Sequence, residues 1–215
     1  MEAQEKLISY TTNNTYSTLN TLSVNTKNVW IVLHGIGFLS NNFLKYFTGL
    51  PKKENYIIAP QAPSKYYLDK NYKHVGASWL TKENRILETK NVLRYMDKLY
   101  ASEKIPDHCQ LIVLGFSQGV SIATRWTAKS KINLDQLVLY AGGTPEELTP
   151  EDFKFLESRN TKIKLVIGNK DEFLSEARLK TEKKKVDSLF SGRAQWIEFE
   201  GGHEIKKEVI HNLVK

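Results

Sequence analysis

Residues 111–119 read LIVLGFSQG, a short apolar run that leads directly into the pattern G-x-S-x-G. The apolar run has the length and composition of a buried strand, and a helical pattern follows at Ser121–Ala128. A G-x-S-x-G sequence between a strand and a helix predicts a sharp turn that lifts the Ser117 hydroxyl above the sheet. Such a turn needs glycines because side chains at those positions would collide. It also places the Gln118 backbone N–H at a helix N-terminus, where it can face a developing oxyanion.

Short apolar runs alternate with longer helical patterns on both sides of this turn. Six runs rich in β-branched and aromatic residues predict strands, at Val29–Leu33, Tyr56–Ala59, Leu111–Leu114, Leu137–Tyr140, Ile163–Ile167 and Trp196–Phe199. Helices are predicted at Lys82–Tyr100, Ser121–Ala128, Glu151–Leu156 and Ser175–Phe190. This alternation predicts an α/β fold with a mostly parallel central sheet and helices on both faces. Residues 1–27 are expected to form a leading hairpin, because Leu7–Val24 is rich in Thr, Ser and Tyr.

Length, composition and charge favour one cytoplasmic domain over residues 1–215. The chain is 40% hydrophobic and 26% charged, which is ordinary for a globular protein. Its N-terminus does not resemble a signal peptide, its apolar runs are too short for stable membrane insertion, and its single cysteine, Cys109, excludes an internal disulfide. The net charge is +7, but the densest basic stretch, Arg178–Lys185, has the pattern of a solvated helix face. We therefore expect no nucleic-acid partner.

A second motif, HGIG at residues 34–37, follows the first predicted strand. In sheets of this kind, ligands bind at the carboxyl ends of the strands. The motif matches loops that contribute a backbone N–H to an oxyanion hole, here from Ile36. A simple tight turn between a strand and a helix is the competing explanation. His34 is interpreted as a structural residue, because it precedes Ser117 in a fold whose base follows the serine.

The remaining two motifs supply a carboxylate and an imidazole. The sequence GNKDEF at residues 168–173 follows a predicted strand and offers Asp171, with Glu172 as a competing carboxylate. GGHE at residues 201–204 follows the last predicted strand and offers His203. Each residue alone also fits an ordinary surface position. The order serine, aspartate, histidine, with each motif placed after a strand, favours a catalytic triad of Ser117, Asp171 and His203.

Together these motifs resemble the phospholipase/carboxylesterase family, which includes acyl-protein thioesterases. The resemblance extends from about residue 29 to the C-terminus and is carried by HGIG at 34–37, APQAP at 59–63, SW at 78–79, GFSQG at 115–119, GNKD at 168–171 and GH at 202–203. It implies an α/β-hydrolase fold without a large lid domain. It implies nucleophile Ser117, acid Asp171 and base His203, with Ile36 and Gln118 forming the oxyanion hole.

The implied activity is hydrolysis of small-molecule carboxylic esters or thioesters through an acyl-enzyme, by a monomer or homodimer. Neither a metal ion nor an organic cofactor is expected, because the mechanism has no step that requires one. Acyl-protein thioesterase, lysophospholipase and, with less support, a non-catalytic binding protein of the same fold are the alternatives.

Two departures from the family pattern bear on the substrate. Phe38 stands where an acidic residue usually follows the H-G-x-G sequence, and Trp79-Leu80-Thr81 replaces the usual W-F-D. Both fall near the acyl and leaving-group sides of the implied site, so they favour a carboxylesterase over a depalmitoylating enzyme. Phe38 and Trp79 are expected substrate contacts, although Trp79 also fits a core position. Gln61–Leu80 is expected to form one wall of the cleft.

Overall fold

The computed structural model describes residues 3–214, and most of its strands belong to one sheet. In these residues the strands are β1 Tyr16–Leu19, β2 Asn28–Leu33, β3 Asn55–Pro60, β4 Ser64–Tyr67, β5 Val75–Ser78, β6 Gln110–Phe116, β7 Gln136–Tyr140, β8 Lys162–Gly168 and β9 Ala194–Phe199. The main sheet has the order β1-β3-β2-β6-β7-β8-β9, and β4 and β5 form a separate antiparallel hairpin. All pairings in the main sheet are parallel except that of β1 with β3.

The six predicted strands all form, each end within two residues of its expected position. Strand β2 is buried at five of six residues and β6 at six of seven, as expected for central parallel strands covered on both faces. The carboxyl ends of β2, β6, β8 and β9 therefore lie at one edge of the sheet, with the four sequence motifs directly after them.

The helices cover both faces of the sheet. They are α1 Ser40–Phe43, α2 Arg85–Glu103, α3 Gln118–Ser130, α4 Glu176–Leu189 and α5 Lys207–Asn212. Helices α2, α3 and α4 contribute to one apolar cluster, while α1 and α5 contribute to a second on the opposite face. This is the α/β-hydrolase fold expected from the sequence, and no lid domain is present within residues 3–214.

Two local predictions are wrong. Residues 3–27 contain no hairpin; their one strand, β1, pairs with β3 and so satisfies backbone groups that an open sheet edge would expose. The helix predicted at Glu151–Leu156 is instead two 3₁₀ turns, Pro150–Asp152 and Lys154–Leu156. Phe153, with φ −114° and ψ −1°, departs from α-helical geometry between the two turns, and Phe153 and Leu156 are buried in the core.

Across the part of the chain that is described, none of the helices combines the length and the apolar character needed to span a bilayer.

Candidate active site

Ser117 lies in a strained turn between β6 and α3. Its backbone has φ 52° and ψ −118°, a conformation that costs a non-glycine residue about 1–3 kcal/mol. A Cβ atom on Gly119 would lie 2.1 Å from the Leu33 carbonyl oxygen, and one on Gly115 would lie 2.5 Å from the Gly119 backbone. The turn is therefore pressed against the end of β2, which explains the glycines on both sides of the serine. The Ser117 N–H donates to the Tyr140 carbonyl at 2.8 Å and fixes the turn to β7.

The structure brings Ser117, His203 and Asp171 into one hydrogen-bonded chain. Ser117 Oγ is 2.8 Å from His203 Nε2, and His203 Nδ1 is 2.8 Å from Asp171 Oδ2. The Asp171 side chain is fully buried, whereas that of His203 is 18% exposed. An ionised carboxylate can only accept, so Nδ1 carries the imidazole proton and Nε2 is free to accept the serine proton.

The neighbouring carboxylates, Asp171 and Glu172, occupy different positions. Asp171 contacts the imidazole ring, and its second oxygen accepts the Phe173 N–H at 2.9 Å. Glu172 is exposed, and its Oε2 accepts the backbone N–H of His203 at 3.3 Å. Hydrogen bonds from its own backbone N–H and from that of His203 hold the pKa of Glu172 below its ordinary value. Glu172, the competing carboxylate in the sequence motif, thus binds the backbone of the loop that carries His203.

Two aromatic rings enclose the imidazole of His203. The centroid of Phe116 lies 5.4 Å from it, and that of Phe173 lies 4.8 Å away with the planes nearly perpendicular. Phe116 is buried, whereas Phe173 is exposed. These contacts restrict the ring to the orientation that both hydrogen bonds require. Phe116 is the second residue of the G-x-S-x-G motif, a position at which the sequence pattern allows any side chain.

The loop after β2 presents a free backbone N–H. Among residues 3–214, neither the Ile36 nor the Gln118 N–H has an acceptor in the protein. The next amide along, that of Gly37, donates to the Ala77 carbonyl at 2.9 Å and ties the loop to β5. Both predicted oxyanion-hole donors are therefore available to a substrate oxygen.

His34 lies beneath this loop as a buried, neutral side chain. Its Nε2 accepts the Ala62 N–H at 3.2 Å, so Nδ1 carries the proton and donates to the Gly35 carbonyl at 2.8 Å. Burial lowers the pKa of His34 to about 4, although the hydrogen bond to Gly35 opposes the shift. By fixing the Gly35 carbonyl, His34 fixes the peptide whose N–H belongs to Ile36.

The prediction that Trp79 contacts the substrate is wrong. Trp79 is fully buried, and its indole N–H donates to the His34 carbonyl at 2.8 Å. The cause is the Gln118 side chain, whose Oε1 accepts the Trp79 N–H at 2.8 Å and whose Nε2 donates to the Leu80 carbonyl at 2.7 Å. This clamp, which we call the Gln118 clamp, directs the indole under the loop after β2. A glutamine within the serine motif was its only sequence signal.

An open cleft of about 980 Å³ lies over the serine and histidine. Phe38, a predicted substrate contact, lines it, together with Ile36, Leu80, Phe173 and the loop 142–147. The expected wall at Gln61–Leu80 contributes only Leu80, so that prediction is wrong. The β4–β5 hairpin instead packs against the outside of the loop after β2, where a Cβ on Gly76 would lie 2.7 Å from the Gly37 carbonyl oxygen.

Three arginines line the same cleft and were not predicted. They are Arg85 at the start of α2, Arg125 on α3 and Arg178 on α4. The sequence offers one signal for Arg125, because it is the one charged residue between Gly119 and Ala128 and lies eight residues after Ser117.

Residues 3–214 contain no group of three His, Cys, Asp or Glu side chains that could hold a metal ion.

Comparison with known proteins gives one family and several structures of the same fold. A family model described as Phospholipase/Carboxylesterase matches residues 14–215. No curated protein sequence matches the chain significantly. Acyl-protein thioesterase 2 of Zea mays superimposes with a TM-score of 0.68 at 16% identity, over 94% of this chain and 96% of that one. A phospholipase/carboxylesterase of Dyadobacter fermentans gives 0.67 at 20% identity, over 96% and 99%, and the esterase PE8 gives 0.65 at 20% identity, over 94% and 98%.

Proposed function

The chain belongs to the phospholipase/carboxylesterase family, and from that premise we propose that it is a serine carboxylesterase that hydrolyses carboxylic esters or thioesters. Ser117 is the nucleophile, His203 the general base and Asp171 the residue that orients the base. The observation that carries the proposal is the hydrogen-bonded chain from Ser117 Oγ through both nitrogens of His203 to Asp171, with both contacts at 2.8 Å.

The first half-reaction forms an acyl-enzyme. Ser117 Oγ attacks the carbonyl carbon of the substrate while its proton passes to His203 Nε2. Asp171 accepts the Nδ1 hydrogen bond and stabilises the imidazolium that results; its own burial keeps water from competing for that bond. The free N–H groups of Ile36 and Gln118 stabilise the oxyanion of the tetrahedral intermediate.

The first half-reaction ends when His203 returns its proton to the departing alcohol or thiol, and the acyl group remains on Ser117. The second half-reaction repeats these steps with water. His203 then takes a proton from water, the hydroxide attacks the acyl carbon, and the acid is released as Ser117 regains its proton. Because the leaving group departs through proton transfer from the same nitrogen, the mechanism serves oxygen esters and thioesters alike.

A fluorophosphonate probe and a p-nitrophenyl ester test the assignment. Ser117→Ala should lose both probe labelling and ester hydrolysis, with a melting temperature within a few degrees of the wild type. Ser188→Ala, on the exposed face of α4, is the matched control and should retain both. Labelling that persists in Ser117→Ala would refute the nucleophile. A wild-type chain that reacts with neither reagent would favour a non-catalytic protein of the same fold.

A further inference from the structure

Arg125 is a buried arginine, and one of its three guanidinium nitrogens has no hydrogen-bond acceptor among the described residues. Its side chain is only 8% exposed; Nε donates to Glu147 Oε1 at 2.6 Å and Nη1 to the Ser121 carbonyl at 3.4 Å. Nη2 has no acceptor among residues 3–214. It is also absent from the set of fully buried side-chain atoms that lack a partner, so Nη2 must be accessible to solvent. The open space that Arg125 lines is the cleft.

A second arginine lines the same cleft. Arg85, at the N-terminus of α2, is exposed, lines the cleft and makes no hydrogen bond or ion pair with the described residues. Its charge nevertheless reaches Glu147. Burial acts to raise the pKa of Glu147, but the hydrogen bond and charge of Arg125, together with the charge of Arg85, hold it below its usual value. Two positive charges thus converge on one carboxylate.

The other acids near this point are occupied. Glu182 accepts both the N–H and the hydroxyl of Thr144, at 2.6 and 2.7 Å. Glu146 is paired with Lys185 at 2.6 Å. Glu147 is the carboxylate that pairs with Arg125, and its side chain is 51% exposed, so it can turn toward solvent when another anion approaches.

We propose that Arg125 and Arg85 form a subsite for an anionic group, a carboxylate or a phosphate, carried by the substrate. The proposal rests on the proposed esterase function and adds a substrate class to it: acyl esters or thioesters with a negative charge at a distance from the reacting carbonyl. Arginine suits this role because its planar fork matches both anions and stays charged at all relevant pH values.

The helix sets the distance between charge and reacting carbonyl. Arg125 follows Ser117 by eight residues, which is about 12 Å along α3. Its guanidinium reaches back to the carbonyl of Ser121, about 6 Å from the level of the nucleophile. The anionic group should therefore lie roughly 6–12 Å from the scissile carbonyl. A half-ester of a medium-length dicarboxylic acid has this shape.

The test compares substrates that differ only in charge. The probes are mono-p-nitrophenyl adipate, its neutral methyl ester, and the p-nitrophenyl ester of an ω-phosphonoalkanoate of the same length. Wild-type kcat/KM should be roughly 10- to 100-fold higher for the anionic ester that the subsite prefers than for the neutral one, as charge-assisted hydrogen bonds predict. Comparison of the two anionic probes distinguishes carboxylate from phosphate.

Variants separate recognition from folding. Arg85→Gln removes a guanidinium that makes no hydrogen bond with residues 3–214, so it should lower the preference for the anionic ester without lowering the melting temperature. Arg94→Gln, on the exposed surface of the same helix and outside the cleft, is its matched control. Glu147→Gln removes the competing carboxylate and should increase the preference. A purely structural pair of Arg125 and Glu147 predicts no such increase.

A binding measurement keeps this proposal separate from the esterase assignment. Calorimetric titration of the Ser117→Ala protein with monomethyl adipate and with dimethyl adipate reports the subsite without any turnover. Tighter binding of the monoanion in this protein, lost in its Arg85→Gln combination, supports the subsite even if no ester is hydrolysed. Equal kcat/KM and equal binding for charged and neutral probes would overturn the subsite while leaving neutral-ester hydrolysis intact.

Discussion

Alanine at Gly142 should damage the catalytic centre, whereas alanine at the adjacent Gly143 should not. A Cβ on Gly142 would lie 2.3 Å from the Ser117 carbonyl oxygen and 2.6 Å from Val120 Cγ2. A Cβ on Gly143 meets nothing closer than Glu182 Oε2 at 3.6 Å. The Val120 methyl can rotate away, but the Ser117 carbonyl belongs to the strained turn and can move only with it.

The size of the effect follows from these distances. Real Cβ atoms essentially never approach a neighbour closer than 3.0 Å, so the turn must shift by about 0.7 Å, the difference between 3.0 and 2.3 Å. Overpacking of this kind costs about 1–3 kcal/mol, which for a chain of this size lowers the melting temperature by roughly 2–12 °C. A displacement approaching 1 Å at the nucleophile reduces kcat about 100-fold.

Ester hydrolysis and thermal melts of the two variants provide the assay. Gly142→Ala should show slow fluorophosphonate labelling, a reduced kcat and a lower melting temperature, while Gly143→Ala should match the wild type in all three. If Gly142→Ala hydrolyses p-nitrophenyl acetate at the wild-type rate, the argument that this glycine is required by the close approach of the Ser117 turn is refuted. Equal damage by Gly143→Ala would mean that the loop, and not the contact, is responsible.

Four further outcomes are expected. Asp171→Asn should reduce kcat by roughly 10⁴-fold, the loss typical of a triad aspartate, whereas Glu172→Gln should be mild; the opposite order in steady-state assays would transfer the orienting role to Glu172. The folded protein disfavours the protonated form of His34, so the free energy of unfolding should fall by about 3 kcal/mol as the pH falls from 6.5 to about 4. Urea titrations in which wild type and His34→Gln show the same dependence of stability on pH would exclude this. Across p-nitrophenyl esters, kcat/KM should peak at short to medium acyl chains, because each methylene gains about 0.8 kcal/mol only while apolar wall remains and the cleft rim is charged; a steady rise through palmitate would contradict it. Activity should survive EDTA, and loss with recovery on adding zinc would reopen the case for a metal.

Sequence patterns predicted the main sheet because its central strands are buried on both faces, which leaves continuous apolar runs that few other structures produce. They also predicted where Ser117, Asp171 and His203 would lie, since the carboxyl ends of parallel strands share one edge of the sheet. No sequence pattern predicts the hairpin β4–β5, because its strand residues alternate poorly and β4 is exposed at every position.

Other features depend on contacts that no local pattern encodes. Whether Asp171 or Glu172 reaches the imidazole is decided by the turn after β8, in which the Asp171 N–H donates to the Gly168 carbonyl at 3.2 Å. The buried position of Trp79 depends on its hydrogen bond to Gln118, which lies 39 residues further along the chain. The pairing of Arg125 with Glu147 likewise joins α3 to a loop that follows a different strand. Local sequence patterns predict the three residues of the hydrogen-bonded chain more readily than the long-range contacts that shape the cleft.

The Gln118 clamp has a consequence for how this enzyme can diversify. Its amide binds the N–H of Trp79, the carbonyl of Leu80 and the hydroxyl of Ser78, so the side chain at position 80 carries no part of the attachment. Leu80 nevertheless lines the cleft. Substitution at position 80 can therefore change the shape of the cleft while the Ser117 turn keeps its position. If the proposed function holds, natural selection or laboratory evolution can alter substrate preference at position 80 without disturbing the residues proposed to carry out the reaction.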